Sequence, residues 1–167
     1  NRALRWGAAG LAGVWATENT RDALYEAMLR KETYATSGPR MTVRFFGSRQ
    51  YTSELLQKPN RIRKAYADGV AMGGTIAPGD RPPSFFVSAL KDPEGANLDR
   101  IQIIKGWVDS TGKSHEAIFD IAGSDGRIAA TDTHRMTDVG NTVSIETATY
   151  TNTIGAASLE SFWTDPD

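Results

Sequence analysis

Hydrophobic residues alternate with polar ones along most of this chain and take helical spacing in only two places. Between residues 99 and 122, two runs rich in Ile, Val, Trp and Phe flank Asp109-Ser110-Thr111-Gly112, the pattern of a β-hairpin. Asp and Ser side chains bond back to nearby backbone, and Gly112 can take the positive φ that closes such a loop. A four-residue loop sets Lys105 opposite Glu116 and Ile103 opposite Ile118, both favourable cross-strand pairs. Ile101, Ile103 and Trp107 then point one way, and Ile104 and Val108 the other. With apolar groups on both faces, the hairpin is expected inside a sandwich or covered sheet and not as a flap.

The remaining elements follow in order. Residues 11–16 read as a short extended segment. Asn19 or Thr20 caps a helix over 20–31, with Asp22 in its first turn and Ala23, Leu24, Ala27 and Met28 as its apolar stripe. Residues 41–46 alternate as a strand. Residues 52–68 have helical character in two pieces separated by Pro59; Asn60 caps the second, near 61–67, and Gly69 ends it. A strand bent at Gly73-Gly74 is expected over 70–76, and another strand over 84–90. The polar stretch 123–140 reads as a long exposed loop. Residues 141–153 are expected to be a strand with Thr147, Thr149, Thr151 and Thr153 on one face, and 159–163 to begin a last strand. Together the pattern predicts a mainly β fold: sandwich-like antiparallel sheets with one N-terminal amphipathic helix and one short second helix.

Composition narrows the chemistry. A chain of 167 residues is one domain's worth, and its net charge of −1 gives no electrostatic case for nucleic acid. It holds no cysteine, which excludes disulfides and thiolate chemistry, and no apolar run near the roughly 20 residues of a membrane span. Neither a phosphate loop nor a Gly-x-Ser-x-Gly elbow is present. Lys58, Arg61, Arg63 and Lys64 cluster locally, and a solvated helix face is preferred to a phosphate site. Asp132 and His134, two apart in a polar loop, are the only metal-ligand pairing that draws notice. A small metal-dependent hydrolase using His134 and Asp132 would need further ligands, and a solvated loop is the preferred reading. Of Trp6, Trp15, Trp107 and Trp163, two or three are expected in the core. An exposed Trp or Tyr pair beside a polar groove would mark instead a free-standing glycan- or protein-binding β module.

Several longer words carry a resemblance: Gly10-Leu-Ala-Gly-Val-Trp-Ala-Thr-Glu-Asn-Thr-Arg-Asp-Ala-Leu, Arg30-Lys-Glu-Thr-Tyr-Ala-Thr-Ser-Gly-Pro-Arg-Met-Thr-Val-Arg-Phe-Phe-Gly, Asn97-Leu-Asp-Arg-Ile-Gln-Ile-Ile-Lys-Gly-Trp and Ala148-Thr-Tyr-Thr-Asn-Thr-Ile-Gly-Ala. In these the chain resembles the family catalogued as domain of unknown function 3604. The resemblance implies a longer, often exported protein, hence a periplasmic or exported location. Its upstream part is similar to a metal-dependent phosphoesterase barrel of the polymerase-and-histidinol-phosphatase kind, where any divalent metal belongs. It implies no metal ligand and no cofactor on this chain. Residues 1–38 are then expected to pack on that upstream barrel, and 39–167 to form a β-rich C-terminal domain lacking its last strand. A sheet edge left open in this way invites a homodimer. The function expected is a non-catalytic portion that supports or shapes the barrel's active site, with Trp15, Glu18, Tyr34 and Arg40 nearest to it.

Overall fold

The computed structural model describes residues 10–166. Strand β1 (Leu11–Val14) pairs antiparallel with β2 (Thr33–Thr36), and helix α1 (Arg21–Leu29) connects them. Gly13 faces Tyr34 in this pairing, and a Cβ there would lie 2.5 Å from the Tyr34 ring. Thr20 caps α1 by accepting the Ala23 N–H, and Asp22 lies in the first turn, as the sequence predicts. Of the expected apolar stripe Ala27 is buried, whereas Met28 is exposed, along with neighbouring Tyr25 and Leu29.

Next come β3 (Thr42–Ser48), a 3-10 turn (Ser53–Gln57), α2 (Arg61–Asp68), β4 (Val70–Ala71) and β5 (Ser84–Leu90). The stretch expected as one strand over 70–76 is thus only two residues of strand. At Gly73 the chain turns with φ +82°, pressed so closely on Lys31 that no Cβ would fit. With β10 (Ser158–Thr164) the sheet order is β10–β5–β3–β4, all antiparallel. Phe46, Phe86 and Phe162 stand in one row across β3, β5 and β10. They face Tyr51, Leu55, Leu56, Ile62 and Ala65 from the 3-10 turn and α2, which forms the core. On the opposite face Phe45 stacks on Phe85 and Phe85 on Trp163, at ring separations of 5.2 and 5.7 Å.

That second face is covered by the hairpin β6 (Arg100–Val108) and β7 (Ser114–Gly123), Phe119 lying 4.9 Å from the Trp163 ring. The register differs from the sequence reading by one residue: Lys105 pairs with Ala117, Gly106 with Glu116 and Ile103 with Phe119. The reason is the Asp109 carboxylate, which accepts from the Thr111 and Lys113 N–H groups and the Thr111 hydroxyl and so closes a five-residue loop. Thr111, His115 and the Lys113 N–H hold this carboxyl well below the usual range. Lys105, opposite Ala117, reaches Asp165 at 2.7 Å. Nor is the hairpin covered on both faces: Ile104 and Val108 remain 63% and 64% exposed, because only the Ile101–Ile103 side meets the sheet. Trp107 is also exposed, stacked on His115. Trp15 and Trp163 are half-buried, and Trp6 lies outside the described residues.

Residues 124–142 contain no strand, as expected of a long loop, yet Arg100 and Asp120 fasten them to the hairpin and Arg127 bonds across them to Thr137. The expected strand over 141–153 is instead a minimal pair, β8 (Val143–Ser144) with β9 (Thr149–Tyr150). Its threonines bond one another, Thr147 to Thr149 and Thr151 to Thr153, and Ala148 takes φ +52°, which breaks the alternation.

Tyr51 closes the core by donating to the Ala65 carbonyl at 2.5 Å. Burial, with the nearby Asp68 charge, pushes its pKa up from 10.0 to about 12. The unfolded chain therefore loses this proton first, and stability is full below pH 10 and falls as pH rises towards about 12. Urea titrations across that window should show a drop of about 2–3 kcal/mol that Tyr51→Phe removes. An equal drop in the variant would assign it elsewhere.

Candidate functional site

The site begins with an arginine in an unusual place. On β3, alternation gives Arg44 the same face as the buried Phe46, so its guanidinium cannot simply run out into water. It lies over the Trp15 indole, its carbon 3.5 Å from the ring centroid. Trp15 is held in turn: its Nε1–H donates to the Val43 carbonyl at 2.8 Å, and Tyr34 lies 6.1 Å away, ring to ring. Arg44 Nη1 donates to the Tyr66 hydroxyl at 3.1 Å. Tyr66 comes from α2 and donates to the carboxylate of Glu32, which is buried between α1 and β2. Arg30, the C-cap of α1, reaches the same carboxylate at 3.5 Å. Burial, then the Glu32 acceptor and its charge, pushes the Tyr66 pKa up against the opposing pull of Arg44. Tyr66 thus keeps its proton and stays a donor to Glu32.

These residues line a cleft of about 710 Å³ whose other walls include Pro59, Asn60, Ile62 and Arg63. The volume lies in the range of small-molecule sites. It joins the α1 end of the N-terminal hairpin to the α2 side of the main sheet. Arg30, Arg44 and Arg63 outnumber Glu32 there, so the cleft is cationic with an aromatic wall. The bonds within it join Arg44, Tyr66, Glu32 and Arg30 into one chain of contacts.

The residues singled out in the sequence are dispersed. Trp15 lines the cleft, and Tyr34 touches it only through Trp15 and faces the groove under β6. Glu18 accepts from the Thr20 hydroxyl at the start of α1. Arg40 lies apart beside Asp92, whose carboxylate accepts the Arg40 N–H at 2.6 Å. Within the basic cluster Arg61 forms a double bond-pair with Glu160, and Lys64 reaches Asp68 at 2.5 Å. Arg63 alone of these lines the cleft.

Asp132 accepts its neighbour's N–H, and the His134 ring lies against Phe119 at 4.9 Å. Among the described residues no three His, Asp or Glu side chains converge as metal ligands. Sequence reasoning missed Glu32, Arg44 and Tyr66. The available signal was Arg44 itself, a charge sharing a strand face with Phe46.

Fold and lining define a mainly β antiparallel chain with a cationic, aromatic-walled cleft. No helix among the described residues is long and apolar enough to cross a membrane. The family model described as "Protein of unknown function (DUF3604)" matches residues 1–167, and the chain belongs to that family. No curated protein and no solved structure matches the chain.

Proposed function

We propose that this chain is a non-catalytic, ligand-holding part of a longer protein, in which its cleft forms one wall of an active site carried by an upstream barrel. The observation that carries the reading is the arrangement of Arg44, seated over the Trp15 ring and bonded through Tyr66 to buried Glu32. Tyr66, Glu32 and Arg30 are engaged with one another, while Arg44 and Arg63 keep donors facing the cleft, which suits positioning a ligand better than transferring protons. Exposed Tyr25, Met28 and Leu29 on α1, beside the cleft's Arg30, offer the apolar surface such a neighbour would cover.

In the longer natural protein, assayed on a chromogenic phosphoester, Trp15→Ala and Arg44→Ala should each lower kcat/KM by about tenfold or more, consistent with loss of a stacked, hydrogen-bonded contact. Unchanged turnover in both variants would remove the proposal.

A second reading has its own support. Trp15 and Tyr66 form an aromatic pair beside a polar groove, as a free-standing glycan-binding module would. Binding of glycans by this chain alone, on an array, with the signal lost in Trp15→Ala, would favour that module over the wall.

A further inference from the structure

Resting on the reading of the cleft as a ligand wall, we propose that it seats a ring-bearing monocarboxylic acid, the carboxylate held by Arg44 and Arg63. Three features lead there. Among the described residues Arg44 donates to Tyr66 alone, through one of a guanidinium's five N–H groups. The acid that would normally neutralise it, Glu32, is taken by Tyr66 and Arg30. Arg63, exposed on α2, forms no ion pair among the described residues and opens onto the same cleft. The cleft therefore holds cationic donors without acceptors.

The kind of anion follows from geometry. The Arg44 guanidinium carbon sits 3.5 Å over the centre of the Trp15 ring, and a guanidinium is a planar fork that a planar carboxylate matches with two parallel bonds. The Glu32 charge on the cleft's inner side disfavours a second negative charge, so a monoanion is preferred to a dianionic phosphate. Ile62, Pro59 and the rim of Trp15 supply apolar contact for the carbon body. A sugar acid and an aromatic acid share this chemistry.

Calorimetric titration of the full chain at pH 7 with D-glucuronate, benzoate, D-glucose and inorganic phosphate tests it. One of the two carboxylates should bind about tenfold or more tightly than glucose or phosphate, and the tighter one names the source. Arg44→Lys, which keeps the charge and loses the fork, and Arg63→Gln should each weaken that binding about tenfold. Because Arg63 is exposed, its variant keeps the fold, checked by an unchanged thermal transition, and it holds the test if Arg44→Lys is unstable. Phosphate binding most tightly, neither carboxylate binding, or affinity unchanged in a folded Arg63→Gln would overturn the proposal. Glucose binding as tightly as glucuronate, and lost in Trp15→Ala, would also overturn it while leaving the cleft a binding wall. Unaltered turnover in the longer protein would remove the wall whatever the titrations gave.

Discussion

Replacing Asp120 by Ala should destabilise the chain by about 3–5 kcal/mol, the cost of stranding a buried charge network. Its side chain is wholly inaccessible and accepts from Gln102 Nε2 at 2.6 Å, the Met136 N–H at 2.7 Å and Arg100 Nη1 at 3.0 Å. Burial pushes its carboxyl up, but those donors and the Arg135 charge outweigh it, so the pKa is held below 3.8. The folded pKa being the lower one, this stabilisation is fully present above about pH 4 and is lost as pH falls through the folded value. The network also fastens the 124–142 loop to the hairpin, since Arg100 bonds the Met136 and Thr137 carbonyls. Urea unfolding should show a lower midpoint, the loss being roughly a third of a typical domain's stability. Asp120→Asn should cost less at pH 7 and should flatten the acid limb. A loss below about 1 kcal/mol for Asp120→Ala would mean that the hairpin and loop are held by other contacts.

Phe46→Ala should cost a similar amount, about 3–5 kcal/mol, and should also loosen the cleft. Phe46 is 2% exposed, stacked on Phe86 at 6.0 Å and edge-on to Tyr66 at 4.8 Å. The same ring is thus a core residue and the floor beneath the tyrosine that positions Arg44. In a variant that stays folded at low temperature, ligand affinity should fall although no ligand-facing group has changed. Phe86→Ala is the control: it opens the core from β5 without touching Tyr66. If both variants weakened binding equally, the fall would report general loosening and not the Phe46–Tyr66 contact.

How far the sequence led can be judged element by element. α1 and β5 were readable because a Thr cap and a short apolar, aromatic run between prolines are local signals. The hairpin was readable as a hairpin but not in register. A single carboxylate, Asp109, selects a five-residue loop, and a one-residue change moves every cross-strand pair. The threonine run looked like a strand because period two is all that alternation shows, whereas Ala148 at φ +52° turns the chain back within it. The site was barely legible. Trp15, Glu32, Arg44 and Tyr66 come from four places in the chain, and only packing of α2 across β3 brings them together. Trp15 was found through the family resemblance, while Glu18 and Arg40, chosen with it, bond locally elsewhere. Asp132 and His134 drew notice by spacing alone, and spacing does not reveal that a His ring rests on Phe119.

The most direct measurement is a nitrogen–proton NMR titration of this chain with D-glucuronate and, separately, D-glucose. The Trp15 Nε1–H, donated to the Val43 carbonyl at the cleft's edge, is the natural reporter. If the cleft is where a ligand rests, the largest shifts fall on that indole and on the amides of Glu32, Arg44, Asn60 and Arg63. Shifts concentrated in the groove under β6, around Ile101 and Ile103, or no shifts with either sugar or, in a third titration, with benzoate, would contradict it.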